Sequence, residues 1–174
     1  GAKAYGYGIA VDGSGNVYFG GSFEVANLTT PALTKIGSSD AFALKLDSSG
    51  TTTWAKNYGG SGANALVLGI AADGSGNVYL GGYFRTANLT TPALTKIGSS
   101  DAFALKLDSS GATTWAKNFG GGGASAYGRG IAVDGSGNVY LGGTFTGASL
   151  TTPALTRIGS SAFVVSSASD AFAL

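Results

Sequence analysis

The chain has 174 residues, of which 44% are hydrophobic, 11% are charged and 31 are glycine; ten Lys and Arg stand against nine Asp and Glu, a net charge of +1. That balance excludes a charge-rich disordered tail, gives nucleic acid and anionic membranes no electrostatic handle, and, with three prolines and no Gly-X-Y period, excludes collagen. Cys, His and Met are absent, which removes disulfides, thiolate nucleophiles, imidazole bases and the usual zinc, copper and haem ligands, and no apolar run reaches the roughly 20 residues of a membrane helix.

The elements read in chain order as strands. The opening GAKAYGYG shows no targeting signal and leads into GIAVD, the polar link GSGN and VYFGGSF, a strand, tight turn and strand with Gly supplying positive backbone angles. NLTTPALTKIGSS follows as a longer connection marked by Thr, Pro and Gly. In DAFALKLD, Phe42, Leu44 and Leu46 share one face and Ala41, Ala43 and Lys45 the other; SSG turns the chain. TTTWAKNYGG then puts Trp54, Lys56 and Tyr58 on one face and Thr53, Ala55 and Asn57 opposite, and no segment carries a helical apolar stripe.

The whole pattern then repeats at an offset of 61, seen at Ile9, Ile70 and Ile131, and at Pro31, Pro92 and Pro153. Residues 9–61 and 70–122 differ at eight positions only: Val11, Phe19, Ser22, Glu24, Val25, Thr51, Tyr58 and Ser61 against Ala72, Leu80, Tyr83, Arg85, Thr86, Ala112, Phe119 and Gly122. The units are 1–61, 62–122 and a partial 123–174, in which SSAFVVSSASDAFAL replaces SSDAFAL and the Trp strand is missing.

A four-stranded meander has two faces to cover and cannot offset its ordering entropy alone, so it must stack on neighbours. Four-strand repeats of this general size build radial propellers. The expected fold is therefore all-β, a set of propeller blades forming an incomplete ring in one chain, with an open, solenoid-like stack of β layers as the alternative. The segments GIAVDGSGNVYFGGSF, DAFALKLDSSG and TTTWAKNYGG resemble the SBBP beta-propeller repeats of bacterial surface and secreted proteins. That resemblance implies a bladed extracellular scaffold with no catalytic residues to carry over. Ring closure is expected from a longer chain or from assembly of copies. A strand lent by Ala2–Gly6 to another copy stands against the simpler reading that these residues open their own unit.

Candidate sites recur with the repeat. Asp12 and Asn16, Asp73 and Asn77, and Asp134 and Asn138 bracket DGSGN segments that could offer oxygens to Ca²⁺, but Val17 and Phe23 occupy the positions where an EF-type loop wants Gly and Glu. The plainer expectation is an Asp-capped turn, with no cofactor. Asp40, Asp101 and Asp170 before the third strand, and Asp47 and Asp108 after it, are candidate paired carboxylates, though a copy in every unit fits a structural role better than one asymmetric acid and base pair. Trp54, Tyr58, Trp115 and Phe119 form an aromatic outer face that could stack on sugar rings or pack on a partner, and the links holding Pro31, Pro92 and Pro153 form a repeated contact surface. Asn27 and Asn88 match the N-glycosylation pattern without an expected sugar. These features point to a non-enzymatic extracellular or cell-surface structural protein whose partners are other copies of itself, with a glycan- or protein-binding module as the alternative.

Overall fold

The computed structural model describes residues 1–151 and, beyond them, the backbone of 154–155 and 161–167. Every regular element among the described residues is a strand. The first meander contains β1 (Lys3–Val11), β2 (Val17–Glu24), a short hairpin of β3 (Leu28–Thr29) and β4 (Ala32–Leu33), then β5 (Ser39–Leu46) and β6 (Thr52–Tyr58). The second repeats it as β7 (Asn64–Ala72), β8 (Val78–Arg85), β9 (Leu89–Thr90), β10 (Ala93–Leu94), β11 (Ser100–Leu107) and β12 (Thr113–Phe119). The third supplies β13 (Ser125–Val133), β14 (Val139–Thr146), β15 (Leu150–Thr151), β16 (Ala154–Leu155) and β17 (Ser161–Ser167).

Pairing within each meander is antiparallel, in the order β1-β2-β5-β6, β7-β8-β11-β12 and β13-β14-β17. Adjacent meanders are joined in the sheet by a single parallel bridge, Ser39 with Asn64 and Ser100 with Ser125, so one curling sheet runs through all three. This is a propeller arrangement with part of its ring present. β1 is paired with β2 from Lys3 onward, which assigns Ala2–Gly6 to its own blade rather than to a neighbour. The link that reads as loop in the sequence contains a real hairpin, too short to leave a period-two signature.

Each blade has two faces, here called the leading face (Ile9, Val17, Phe19, Phe42, Leu44 and Leu46 in the first blade) and the trailing face (Gly8, Tyr18, Gly20, Ala41, Ala43 and Lys45). A bulge between Gly6 and Gly8 resets the alternation inside β1. The trailing face of the first blade packs on the leading face of the second: Tyr18, Ala41 and Ala43 join Val67, Ile70, Val78, Leu80, Leu105 and Leu107 in one core. Ala102 and Ala104 of the second blade meet Leu141 and Phe145 of the third in another. The trailing faces are lined with small residues because the partner's side chains need the room. A Cβ on Gly20 would lie 2.5 Å from Val67 Cγ1, and one on Gly81 would lie 2.8 Å from Leu141 Cδ1. A third, smaller cluster of Phe23, Leu33 and Phe42 tucks under the first link.

Candidate functional site

The DGSGN turns are built identically. Asp12 Oδ1 accepts from the backbone N–H of Ser14 (2.9 Å) and Asn16 (3.0 Å), and Oδ2 accepts from Asn16 Nδ2 and the Tyr18 hydroxyl, both at 2.8 Å. Asp73 repeats this with Ser75, Asn77 and Tyr79, and Asp134 with Ser136, Asn138 and Tyr140. The asparagines turn an N–H donor to the carboxylate, whereas a cation would need their carbonyl oxygen. Asp12, Asn16, Asp73, Asn77, Asp134 and Asn138 therefore sit as turn-forming pairs. Desolvation works against the Asp12 carboxylate, yet the bonds from Asn16, Tyr18 and Ser14 lower its pKa from 3.8 to about 2. Desolvation and the same carboxylate push the Tyr18 hydroxyl up.

Asp40 and Asp101 are fully buried. Asp40 accepts from the N–H of Ile36 and Gly37 (both 2.8 Å) and from Asn57 Nδ2 (2.7 Å), which also donates to Thr34 O at 2.8 Å. Asp101 does the same with Ile97, Gly98 and Asn118. This clamp locks the end of the link to the outer strand of its own blade. Asp47 and Asp108 cap the turns after β5 and β11 through Ser49 and Thr51, and Ser110 and Ala112. The expected carboxylate pairing within a unit does not form. Asp40 and Asp47 stand at opposite ends of a strand, roughly 23 Å apart at ~3.3 Å per residue, against the ~5–9.5 Å of a glycosidase pair. Asp170 lies outside the described residues.

The aromatic residues correct the outward-facing expectation. Trp54, Lys56 and Tyr58 do share a face, but it is the trailing one, turned toward the next blade. Trp54 Nε1 donates to Ser109 O in the second blade (3.2 Å), and its ring rests over Gly111, where a Cβ would lie 2.9 Å from Trp54 Cδ2. Tyr58 and Phe119 are buried, in the first and second inter-blade cores respectively, and Trp115 packs half-buried against the second. The buried rings of Tyr58 and Phe119 offer no platform to a sugar, and those of Trp54 and Trp115 are half-covered.

The links divide in two. Pro31 and Pro92 are half-buried at the tips of their hairpins, and Pro153 lies outside the described residues. The second link is stapled to the first blade: Thr90 and Thr91 N–H donate to Gly59 O (2.9 and 3.1 Å), and Gly59 N–H donates to Thr91 O (3.1 Å). Thr151 N–H makes the same bond to Gly120 O (2.9 Å). The expected repeated contact surface is thus already used between blades, except in the first link, where Leu28 stays half-buried while Leu89 and Leu150 are buried. Asn27 and Asn88 accept from the N–H of Lys35 and Lys96 through Oδ1.

The repeating core positions were not singled out by their chemistry, although Tyr18, Tyr79 and Tyr140 recur six residues after each turn Asp and could have been found that way. Their exposure differs sharply. Tyr18 and Tyr79 are 0% and 1% exposed and Tyr140 is 39%. On the leading faces Ile70 is 9% exposed and Ile9 61%. A hollow of about 260 Å³ lies beside Ile9, walled by Gly6, Tyr7, Gly8 and Phe19.

Residues 114–150, from the outer strand of the second blade through β13 and β14 into the third link, match the family model for SBBP, a beta-propeller repeat. The chain carries an SBBP beta-propeller repeat. The match crosses a blade boundary, so the family unit covers an outer strand and the inner strands that follow it. No curated protein matches the chain. SBBP repeats of this kind make a structural or binding module.

Proposed function

We propose that this SBBP repeat chain is a non-enzymatic structural protein of the bacterial cell exterior or surface, whose near-identical blades build a self-associating, extended assembly. The observation that carries the reading is the uncovered leading face of the first blade. Ile9 (61%) and Val11 (59%) are exposed there, and Val17, Phe19, Leu44 and Leu46 are only half-covered, while the matching Val78, Leu80, Leu105 and Leu107 are buried. Fully burying one such side chain stabilises by about 1.5–3 kcal/mol, so several together exceed the lower estimates, about 4 kcal/mol, for the cost of associating two molecules. The extracellular setting rests on the resemblance to surface and secreted repeat proteins. The non-enzymatic part is supported by the described aspartates, which are committed to repeated turns and clamps.

Light scattering on the purified chain is expected to give a mass that rises with concentration, and negative-stain imaging to show rings or fibres. A strictly monomeric particle at all concentrations overturns the proposal. A second reading, a module that binds a glycan or a surface protein, is favoured by Tyr5 and Tyr7, exposed and stacked at 6.4 Å in the first half of β1. Glycan-array binding by a monomer, lost in Tyr5→Ala, would select it.

A further inference from the structure

The joint between blades follows one rule, and the rule identifies which surfaces of two copies meet. On the trailing face of the first blade, the site of a Cβ on Gly8 lies 3.0 Å from Ile70 Cγ2 on the leading face of the second. One unit on, the corresponding site at Gly69 lies 3.0 Å from Gly130 Cα and from Ile131 N of the third blade. Next in the series, a Cβ on Gly130 would meet nothing within 4 Å among the described residues, and Ile9, the counterpart of Ile70 and Ile131, stands largely in solvent. Tyr140 extends the same series: its counterparts Tyr18 and Tyr79 are sealed by the blade that follows, and it is not.

We infer that the open trailing face of the third blade, at Gly130 and Tyr140, receives the open leading face of the first blade, at Ile9, Val11 and Phe19, of a second copy of this chain. The inference rests on the assembly reading above and specifies its contact. The occupant is argued from continuity with the joint inside the chain. The leading face of the second blade differs from that of the first by Gly6 to Val67, Val11 to Ala72 and Phe19 to Leu80, the third blade again having glycine, Gly128, at the first of these, and the trailing face it accepts carries Gly8, Tyr18 and Gly20 where the open one carries Gly130, Tyr140 and Gly142. The contact is head to tail, so each copy keeps one free face of each kind until a ring closes or a filament grows.

Two variants test it, Ile9→Lys on the leading face and Gly130→Lys on the trailing face. Both positions are open in the single chain, and circular dichroism with a thermal melt checks that each variant folds as the parent does. Light scattering should give the monomer mass for either variant alone at concentrations where the parent assembles. An equimolar mixture should double that mass and stop there, since only one intact joint remains between the two species. If either variant alone still assembles, or the mixture stays monomeric while the parent assembles, the pairing of faces is wrong although self-association stands. If the parent is monomeric at every concentration, the assembly reading fails with it, and the faces belong to further blades of a longer chain or to an unlike partner.

Discussion

The first and second blades have almost the same residues and opposite fates. Leu105 and Leu107 on the leading face of the second blade are fully buried, whereas Leu44 and Leu46, the same residues one unit earlier, are half-covered, with no blade packed on that face among the described residues. The links show the same contrast: the second is stapled to Gly59, while the first has no such partner among the described residues. Apart from the small cluster of Phe23, Leu33 and Phe42 inside the first blade, burial of the sheet faces belongs to the joint between units, as expected of a repeat stabilised by nearest-neighbour interfaces.

The comparison is broken most directly by truncating matched leucines. Leu105→Ala removes a fully buried side chain from the first inter-blade core and should cost about 3 kcal/mol by chemical denaturation, within the ~2–5 kcal/mol usual for core leucines. Leu44→Ala should cost about 1 kcal/mol in the dilute monomer. Equal losses would mean that the first leading face is covered in solution. A Leu44 loss that grows with protein concentration would mean that another copy covers it.

The turn glycines sharpen the same point at a smaller scale. Gly50 (φ 84°) and Gly111 (φ 81°) hold equivalent left-handed positions, and an alanine at either costs about 1 kcal/mol through backbone strain alone. Nothing lies near the side of Gly50, whereas the Trp54 ring of the preceding blade rests on Gly111. Gly111→Ala should therefore cost about 2 kcal/mol and quench or shift Trp54 fluorescence, and Gly50→Ala about 1 kcal/mol without the spectral change.

Much of this was legible in the sequence, and the parts that were not share a physical cause. Alternation placed Phe42, Leu44 and Leu46 opposite Ala41, Ala43 and Lys45, and the Asp, Gly and Asn spacing placed the turns, because both are properties of a few consecutive residues. The sharing of one face by Trp54 and Tyr58 was also local and readable. Which blade that face meets was not, since it depends on the stacking of units 61 residues apart. Asp40 looked like a candidate acid and is a buried clamp, because its partners at Ile36, Gly37 and Asn57 come together only when the outer strand folds back.

A further pair of matched positions tests strain. Val25 (φ 73°) and Thr86 (φ 71°) are β-branched residues in left-handed backbone, where the third unit has Gly147 (φ 82°). Thr86 has a local compensation, its hydroxyl donating to Gly62 O at 2.6 Å, and no such bond holds Val25, which is exposed. Val25→Gly should raise stability by about 1 kcal/mol, the lower end of the strain held at such sites. Thr86→Gly should change it little, because the hydroxyl bond goes with the strain. A smaller gain, about 0.5 kcal/mol, is expected for Tyr58→Phe: the buried Tyr58 hydroxyl has no hydrogen-bond partner among the described residues, and the second unit already has Phe119 in its place.

The smallest effect is expected from acid, and it separates turns by their neighbours. The Asp12 carboxyl, with a folded pKa of about 2 against 3.8 unperturbed, favours the folded state once ionised, so its contribution is complete above pH 3.8 and disappears as the pH falls through about 2. Between those values the unfolded chain takes up the proton first. Asp73 and Asp134 are lowered as well, the former against the opposing desolvation of its site and the latter chiefly by the Asn138 side chain. In Asp12→Asn the stability deficit relative to the parent, measured by denaturant midpoint, should be constant from pH 7 to pH 4 and shrink toward pH 2. It should be modest throughout, because water screens a turn at the surface. The same substitution at Asp73, whose turn lies beside Tyr18 of the preceding blade, should also lower the pH at which the Tyr18 hydroxyl ionises, since the Asp73 charge contributes to holding it up. A Tyr18 titration that ignores Asp73→Asn would show that the turns of neighbouring blades do not sense each other's charge, leaving apolar packing and the Trp54 and Gly59 hydrogen bonds to make the joint.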